Sequence, residues 1–135
     1  MTVVLADHNS TTRARLKRRL QKINGIAVVG EASEVGGATA MILNRKPDLV
    51  ILDAELKNGS SVEVLRYIEH LSIRPTIMVV TSLPSQELRS AFAIAGVDFF
   101  FEISIEDHKV VNTVRSLCGL ESGLVEAGTT ESSPG

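Results

Sequence analysis

The sequence predicts an α/β domain built on a doubly wound parallel sheet, and three observations carry this prediction. Short runs rich in β-branched residues alternate five times with segments whose apolar residues recur at a spacing near 3.6. Glycine or proline separates several helix-like segments from the next strand-like run. The third run is continuously apolar and ends in Asp53, as a buried parallel strand does when it delivers one functional group to its carboxyl edge.

The predicted strands are short and apolar, as expected where helices cover both faces of a sheet. They lie at Thr2–Ala6, Ile26–Val29, Leu49–Leu52, Thr76–Val80 and Val97–Phe101. Because strands joined through helices run parallel with right-handed crossovers, this alternation predicts five parallel strands with helices on both faces.

Five predicted helices fill the intervals between and after these strands. Their apolar markers, in chain order, are Leu16, Leu20 and Ile23; Ala38, Met41 and Ile42; Leu65, Ile68 and Leu71; Leu88, Ala91, Phe92 and Ala95; and Val110, Val114 and Leu117. Gly25 and Gly96 stand where a helix ends and a strand begins, and Pro47 and Pro75 reinforce two other helix ends.

Length and composition favour one globular domain. The 135 residues suffice for a sizeable core, and the formal net charge of −2 argues against a nucleic-acid-binding domain. Cys118 is the one cysteine, so no internal disulfide is expected. With neither a signal-peptide pattern nor an apolar run of membrane length, we expect a cytoplasmic protein. We expect the domain to span residues 1–120 and residues 121–135, rich in small polar residues, to be a disordered tail or linker.

Three polar residues stand at the ends of predicted strands: Asp7 after the first, Asp53 after the third and Thr81 after the fourth. Because the carboxyl ends of parallel strands meet at one edge, we expect these side chains to cluster there. Two carboxylates brought together repel each other unless a cation or a proton intervenes, so the cluster predicts a Mg²⁺ site. The Thr81 hydroxyl could then bond a phosphoryl oxygen on Asp53.

Each of these residues also has a purely structural interpretation. Asp53 could bond backbone amides in the following turn, and Asp7 could cap the helix that begins near Ser10 or Thr11. Thr81 could be an ordinary β-branched strand end.

The sequence resembles the response-regulator receiver domain of two-component signalling from about Thr2 to Leu120. The resemblance rests on the strand-end acid, the Leu-Asp of the third strand followed by Gly-Ser, and the runs Val-Val-Thr-Ser and Ala-Gly-Val-Asp-Phe-Phe-Phe, in this order and spacing. It implies a flavodoxin-like fold with strand order 2-1-3-4-5 and helices on both faces.

The resemblance also implies a role for each site residue. Asp53 matches the phosphoacceptor, which receives a phosphoryl group from a sensor histidine kinase, and Asp7 matches the first of two acids that hold Mg²⁺. Thr81 matches the switch hydroxyl and Phe100 the switch aromatic, although a phenylalanine run on a strand is equally consistent with core packing. We expect a signalling partner and no enzymatic activity.

Two departures from the family bear on the chemistry. His8 stands where the second acid is expected, and Ile103 where a lysine is expected. Mg²⁺ takes oxygen ligands, so imidazole replaces carboxylate poorly, and loss of the lysine removes a charge that would bind phosphate. We therefore predict weak or absent Mg²⁺ binding and an atypical receiver. Lys57 and Ser61 also depart, from proline and glycine, and Lys57 is expected to point into solvent.

Three functions are consistent with these residues. The first is a phosphorylatable receiver and the second a pseudo-receiver that binds proteins without phosphate. The third, ranked last, is an aspartyl-phosphate-type hydrolase, in which Glu55 would be the second acid after Asp53. Gly36-Gly37 lies inside a helix pattern and gives no support for nucleotide binding.

Two surfaces are candidates for partner binding. The basic part of the first helix is either a solvated face or a docking surface for an acidic partner, with nucleic acid least favoured; it comprises Arg13, Arg15, Lys17, Arg18, Arg19 and Lys22. The face of the fourth helix, fifth strand and fifth helix carries both signs of charge and is expected to form a homodimer or a heteromeric contact; it comprises Arg89, Phe100, Glu106, Asp107 and Lys109.

Overall fold

Strands and helices alternate along the chain in the structure, a computed structural model. It describes residues 1–122, except for the side chains of residues 104–107 and 120–122. The elements are β1 (Thr2–Ala6), α1 (Ser10–Gln21), β2 (Ala27–Ala32), α2 (Val35–Arg45), β3 (Leu49–Asp53), β4 (Glu55–Leu56), β5 (Gly59–Ser60), α3 (Ser61–Ile68), β6 (Thr76–Thr81), α4 (Gln86–Ile94), β7 (Phe99–Glu102) and α5 (Ile103–Ser122). Residues 123–135, which make up most of the predicted tail, lie outside the described part of the chain.

Within residues 1–122, five strands form one parallel sheet in the order β2-β1-β3-β6-β7. This confirms the predicted doubly wound fold, since the order corresponds to 2-1-3-4-5 once the short hairpin of β4 and β5 is set aside. That hairpin was not predicted, because two-residue strands are too short to show a periodic pattern. The register pairs Leu5 with Ile51 and Asp53 with Val80, so β1, β3 and β6 end side by side.

The core has two parts because alternate side chains of each strand point to opposite faces of the sheet. On one face Val4 and Val50 pack with buried residues of α2, α3 and α4. On the other face Val3 and Ile51 pack with buried residues of α1 and α5. The central strands are therefore buried from both sides, which fixes the positions of the residues that follow them.

Element boundaries differ from the prediction by a few residues. The edge strand β2 continues to Ala32 rather than Val29, because Gly30 and Glu31 interrupt its apolar pattern without ending its pairing with β1. Gly25 and Gly96 each lie between a helix and the next strand, although α1 already ends at Gln21, and their φ values of +92° and +84° are ones that glycine adopts readily. None of the described helices is long and apolar enough to cross a membrane.

Candidate functional site

Asp53 lies at the carboxyl end of β3, between the ends of β1 and β6. Asp53 is buried, with 8% of its surface exposed. Its Oδ1 accepts a hydrogen bond from the Glu55 amide at 3.2 Å, and its backbone carbonyl accepts one from the buried Ser61 hydroxyl. The amide contact is the one expected from the structural interpretation of Asp53, but it uses only one carboxylate oxygen and leaves Oδ2 directed elsewhere.

Asp7 follows β1 and is 7% exposed. Its Oδ1 accepts a hydrogen bond from the Asn9 amide at 2.7 Å. Burial is the main cause that raises the pKa of Asp7 from 3.8 to about 6, and the charge of Asp53 raises it further against the lowering effect of the Asn9 amide. The Asp7 carboxyl is therefore held at a site where its own negative charge is unfavourable.

The cap of α1 is Asn9, and the interpretation of Asp7 as that cap is wrong. The Asn9 side-chain oxygen accepts hydrogen bonds from the amides of Thr11 at 2.9 Å and Thr12 at 3.0 Å. Asn is among the preferred residues at this position because its short side chain reaches the free amides of the first turn. Asp7, placed two residues earlier, is directed toward the sheet edge instead.

His8 completes the cluster, and its position was the least predictable from sequence. Its Nδ1 is hydrogen-bonded to Asp53 Oδ2, lies 3.9 Å from Asp7 Oδ1 and lies 3.2 Å from the Glu55 carbonyl oxygen. The hydrogen bond with Asp53 is the main cause that raises the pKa of His8 above 6.5. The His8 side chain is 52% exposed, so it covers the cluster from the solvent side.

Asp7, His8 and Asp53 together form a group that could hold a metal ion. Their ligand atoms all lie within 4.8 Å of one another. Two carboxylates and one imidazole supply both oxygen and nitrogen donors, in contrast to an all-oxygen site. The sequence predicted that the two aspartates lie close together, because the carboxyl ends of parallel strands meet at one edge of the sheet. It did not predict the contact of the imidazole, which depends on a side-chain conformation that strand positions do not specify.

Thr81 ends β6 beside Asp53 and is 6% exposed. Its hydroxyl oxygen accepts a hydrogen bond from the Leu83 amide at 3.2 Å. The predicted residues Asp7, Asp53 and Thr81 therefore share one edge of the sheet. The Leu83 contact stabilises the turn after β6 and would suit an ordinary strand end as well as a switch hydroxyl.

Ile103 is the first residue of α5. It is half-buried against the core between α1 and α5, and it lines a small cavity with Thr12, Arg15, Leu16 and Arg19. An apolar side chain thus stands at the position where the resemblance to receiver domains implies a lysine. Lys57, which stands where the resemblance implies proline, is exposed, as expected.

The three phenylalanines of β7 divide between the two faces of the sheet. Phe99 and Phe101 stack with ring centroids 6.1 Å apart on the face covered by α1 and α5. Phe100 lies on the other face, 5.9 Å from the ring of Phe92, and the Arg89 guanidinium lies 4.9 Å from its centroid. Phe100 is half-buried, and Arg89 covers its outer side.

Part of the basic surface of α1 is engaged within the domain. Glu31 on β2 accepts hydrogen bonds from Arg13 at 3.2 Å and Lys17 at 2.7 Å, and Lys17 is the main cause that lowers the pKa of Glu31. Arg13 also donates to the Asp7 carbonyl at 2.6 Å. These contacts were not predicted from the sequence, although Arg13 and Lys17, four residues apart on one helix face, were a usable signal.

Comparisons with known proteins agree with this fold. A family model for the response regulator receiver domain matches residues 3–128. The sensory transduction protein LytT of Bacillus anthracis is 24% identical over 115 residues, which is 85% of this chain and 46% of LytT. The signal receiver domain of NarL from Mycobacterium tuberculosis superposes with a TM-score of 0.79 at 19% identity, covering 87% of this chain and 94% of that domain.

A third relative carries the name of an enzyme. Protein-glutamate methylesterase/protein-glutamine glutaminase 2 of Burkholderia thailandensis is 34% identical over 98 residues, which is 71% of this chain and 28% of that protein. The chain spans about half the length of the first curated relatives it matches. What these relatives do as whole proteins therefore involves sequence beyond the matched region.

Proposed function

We propose that this chain, which belongs to the response regulator receiver domain family, carries its phosphoacceptor at Asp53 beside a degraded Mg²⁺ and phosphate site. Receivers of this family act in two-component signalling, where they interact with histidine kinases and other signalling proteins, and they generally bind Mg²⁺ at an acidic pocket. In this chain the basal rate of phosphorylation is low, and the domain signals largely through its unphosphorylated state.

The observation that carries the proposal is the hydrogen bond between His8 Nδ1 and Asp53 Oδ2. Phosphorylation requires a carboxylate oxygen to attack phosphorus, forming an O–P bond while the donor's leaving group departs with the electron pair of the bond it breaks. Oδ1 is engaged by the Glu55 amide and Oδ2 by His8. The imidazole must therefore move away before Oδ2 can attack.

The donor set fits Mg²⁺ poorly. Mg²⁺ demands near-octahedral oxygen ligands, and one of the three side-chain donors here is an imidazole nitrogen. Replacing a carboxylate with imidazole also removes one negative charge that would attract the cation. Both differences lower the affinity expected for Mg²⁺.

The phosphoryl group would also lack its usual cation from the protein. Ile103 packs against α1 and carries no charge, and Lys57 is exposed on the β4–β5 hairpin. Phosphoryl transfer is accelerated chiefly by groups that neutralise charge on the transferred oxygens. Thr81 supplies a hydroxyl near Asp53, which can donate one hydrogen bond but no charge.

The test is restoration of the two missing groups. The variant His8→Asp/Ile103→Lys should label with acetyl phosphate in Mg²⁺ at least about tenfold faster than the unmodified chain, because it regains a ligand and a phosphate-binding cation. His70→Asp, a change of the same type at an exposed histidine, is the matched control and should leave labelling unchanged. Stoichiometric, Asp53-dependent labelling of the unmodified protein under mild conditions would contradict the degraded site.

The pseudo-receiver is the second candidate function, and the same histidine contact favours it. His8 offers Asp53 a partner within the domain, so the site has a defined arrangement without phosphate. Under this function Asp53→Asn and beryllofluoride would leave partner binding unchanged. Under the phosphorylatable function both would alter it.

An enzymatic function is ranked last. A hydrolase of the aspartyl-phosphate type needs a second acid in the site, whereas the Glu55 side chain is exposed and only its backbone faces His8. The match to the methylesterase covers 28% of that protein. We therefore assign signalling and no catalysis to this domain, which we place in the cytoplasm without nucleic-acid or membrane binding of its own.

The proposed partner surface is the face formed by α4, β7 and α5, which would support a homodimer or a contact with another signalling protein. Arg89 and Phe100 lie together on this face, and Lys109 is exposed on α5. The acidic members of the predicted set, Glu106 and Asp107, lie outside the described side chains. The basic first helix is the alternative surface, with Arg13 and Lys17 already paired to Glu31.

A further inference from the structure

We infer that Asp7, His8 and Asp53 form a site for a divalent transition metal, binding Zn²⁺ or Co²⁺ in preference to Mg²⁺. The inference deepens the proposed function, on which it rests for the location of the site, by assigning the class of cation that the altered donor set selects. It concerns binding alone and requires no phosphorylation.

The donors match this class of metal. Imidazole nitrogen suits Zn²⁺ and neighbouring transition metals, whereas Mg²⁺ prefers oxygen throughout. With a neutral imidazole, two carboxylates balance the two positive charges of the ion. The ion would also relieve the repulsion between the buried carboxylates of Asp7 and Asp53.

The spacing of the donors is close to what such an ion needs. A tetrahedral ion with bonds of about 2.0–2.1 Å holds its ligand atoms roughly 3.3 Å apart. His8 Nδ1 lies 3.9 Å from Asp7 Oδ1, and all three ligand atoms lie within 4.8 Å of one another. His8 Nδ1 and Asp53 Oδ2 share a hydrogen bond, which the ion would replace as it enters between them. Because the His8 side chain is half-exposed, it can rotate to bring the spacing between its Nδ1 and the two carboxylate oxygens to the value that the ion needs.

Backbone groups around the cluster support this arrangement. The Asn9 amide holds the Asp7 carboxylate at 2.7 Å, and the Glu55 amide holds the Asp53 carboxylate at 3.2 Å. Such contacts orient ligands and strengthen metal binding. The Glu55 carbonyl, 3.2 Å from His8 Nδ1, or a solvent molecule can complete the coordination.

Specific binding should have a stoichiometry of one ion per chain. Among the described residues, no other group of three His, Cys, Asp or Glu side chains brings its ligand atoms this close. The surface pair of His70 and Glu69, 3.6 Å apart, offers the same two kinds of donor without a third and serves as a matched comparison. If His8 is a ligand, its substitution should weaken metal binding, whereas substitution of His70 should not.

The experiment is a Co²⁺ absorption titration of the full 135-residue chain without a polyhistidine tag, followed by Zn²⁺ competition and Mg²⁺ calorimetry. We expect one equivalent of Co²⁺ with the visible bands of a low-coordinate ion, and a Kd for Zn²⁺ at least about tenfold below that for Mg²⁺. His8→Asn should weaken Zn²⁺ at least about tenfold, and His8→Asp should lower the Zn²⁺-over-Mg²⁺ preference by a similar factor. His70→Ala should change neither, and circular dichroism confirms that each variant is folded.

Two results would overturn the inference, and they differ in what they imply for the proposed function. If neither Zn²⁺ nor Co²⁺ binds, or if binding is lost in His70→Ala and retained in His8→Asn, the transition-metal site is wrong and the degraded receiver stands. If Mg²⁺ binds the unmodified chain as tightly as Zn²⁺, both the selectivity and the degraded Mg²⁺ site are wrong. The labelling rate of the His8→Asp/Ile103→Lys variant then tests the receiver separately.

Discussion

The two edges of the central sheet both carry aspartates, and these aspartates have different surroundings. At the amino edge, Asp48 accepts a hydrogen bond from the Thr2 amide and Asp98 accepts one from the Ile77 amide, each at 2.8 Å. At the carboxyl edge, Asp7 and Asp53 are buried beside each other. The first pair bonds free amides at the starts of strands, whereas the second places two negative charges at one point.

This difference separates a structural use of aspartate from a functional one. A carboxylate that accepts a backbone amide stabilises the fold, because the amide would otherwise lack a partner. Carboxylates that face each other in a buried site oppose folding, and burial already raises the pKa of Asp7. Substitutions at the two edges should therefore change stability in opposite directions.

The largest expected effect is stabilisation by Asp7→Asn. The pKa of Asp7 rises from 3.8 to about 6 on folding, which corresponds to about 3 kcal/mol at most lost to stability above pH 6. The folded state holds the Asp7 proton more tightly, so this contribution to stability is lost as pH rises from about 4 to 6. Asn keeps an acceptor for the Asn9 amide and removes the charge.

Denaturant unfolding at several pH values measures this effect. The gain from Asp7→Asn should be largest at pH 8 and should disappear at about pH 3, below both pKa values, where the carboxyl is mostly protonated in folded and unfolded chains alike. If Asp7→Asn is no more stable than the unmodified chain at pH 8, the negative charge of Asp7 does not destabilise the folded protein.

The opposite sign is expected for Asp98→Ala at the amino edge. This change leaves the amide of Ile77, a fully buried residue, without its carboxylate acceptor and should destabilise the protein by about 1–3 kcal/mol. Asp98→Asn retains an acceptor oxygen and should recover most of the loss in the same unfolding assay. Equal stability of Asp98→Ala and the unmodified chain would remove the contrast between the edges.

The sequence predicted the fold, the family and the edge at which Asp7 and Asp53 lie, because these depend on strand order and on residues at strand ends. It did not predict the contact between His8 and Asp53, which depends on how one half-exposed side chain rotates over the site. It also offered Asp7 as a possible cap of α1, whereas Asn9 is the cap, because the path of the loop places the Asn9 side chain at the first-turn amides.

A smaller effect concerns the titration of His8. Its pKa should lie above 6.5 in the unmodified chain, because the hydrogen bond with Asp53 favours the charged imidazole. Asp53→Asn should lower this pKa, and Asp7→Asn should lower it less, since Asp53 is the larger cause. Imidazole proton resonances followed against pH measure both shifts. Equal shifts in the two variants would contradict the pairing of His8 with Asp53.

The direction of the pKa shift of His8 also determines how its contribution to stability changes with pH. A pKa raised on folding gives stability that is present below pH 6.5 and is lost as pH rises through the raised pKa. As pH rises, the carboxyl edge should therefore lose two contributions, one from Asp7 between about pH 4 and 6 and one from His8 at higher pH. The stability of Asp98→Ala, a substitution at the amino edge, is the reference with which this loss is compared.

The smallest effect is expected on self-association, which tests whether a surface away from both edges carries the output. Charge reversal at Arg89 and Lys109 should weaken a dimer through α4, β7 and α5 by about fivefold, because exposed ion pairs contribute about 1 kcal/mol or less. Added salt should weaken it too, since it screens such pairs. Arg66→Glu, at an exposed position on α3, is the matched control for sedimentation velocity. A monomer at high concentration, with no partner lost on reversal, would eliminate this face and leave the basic surface of α1 as the site of contact.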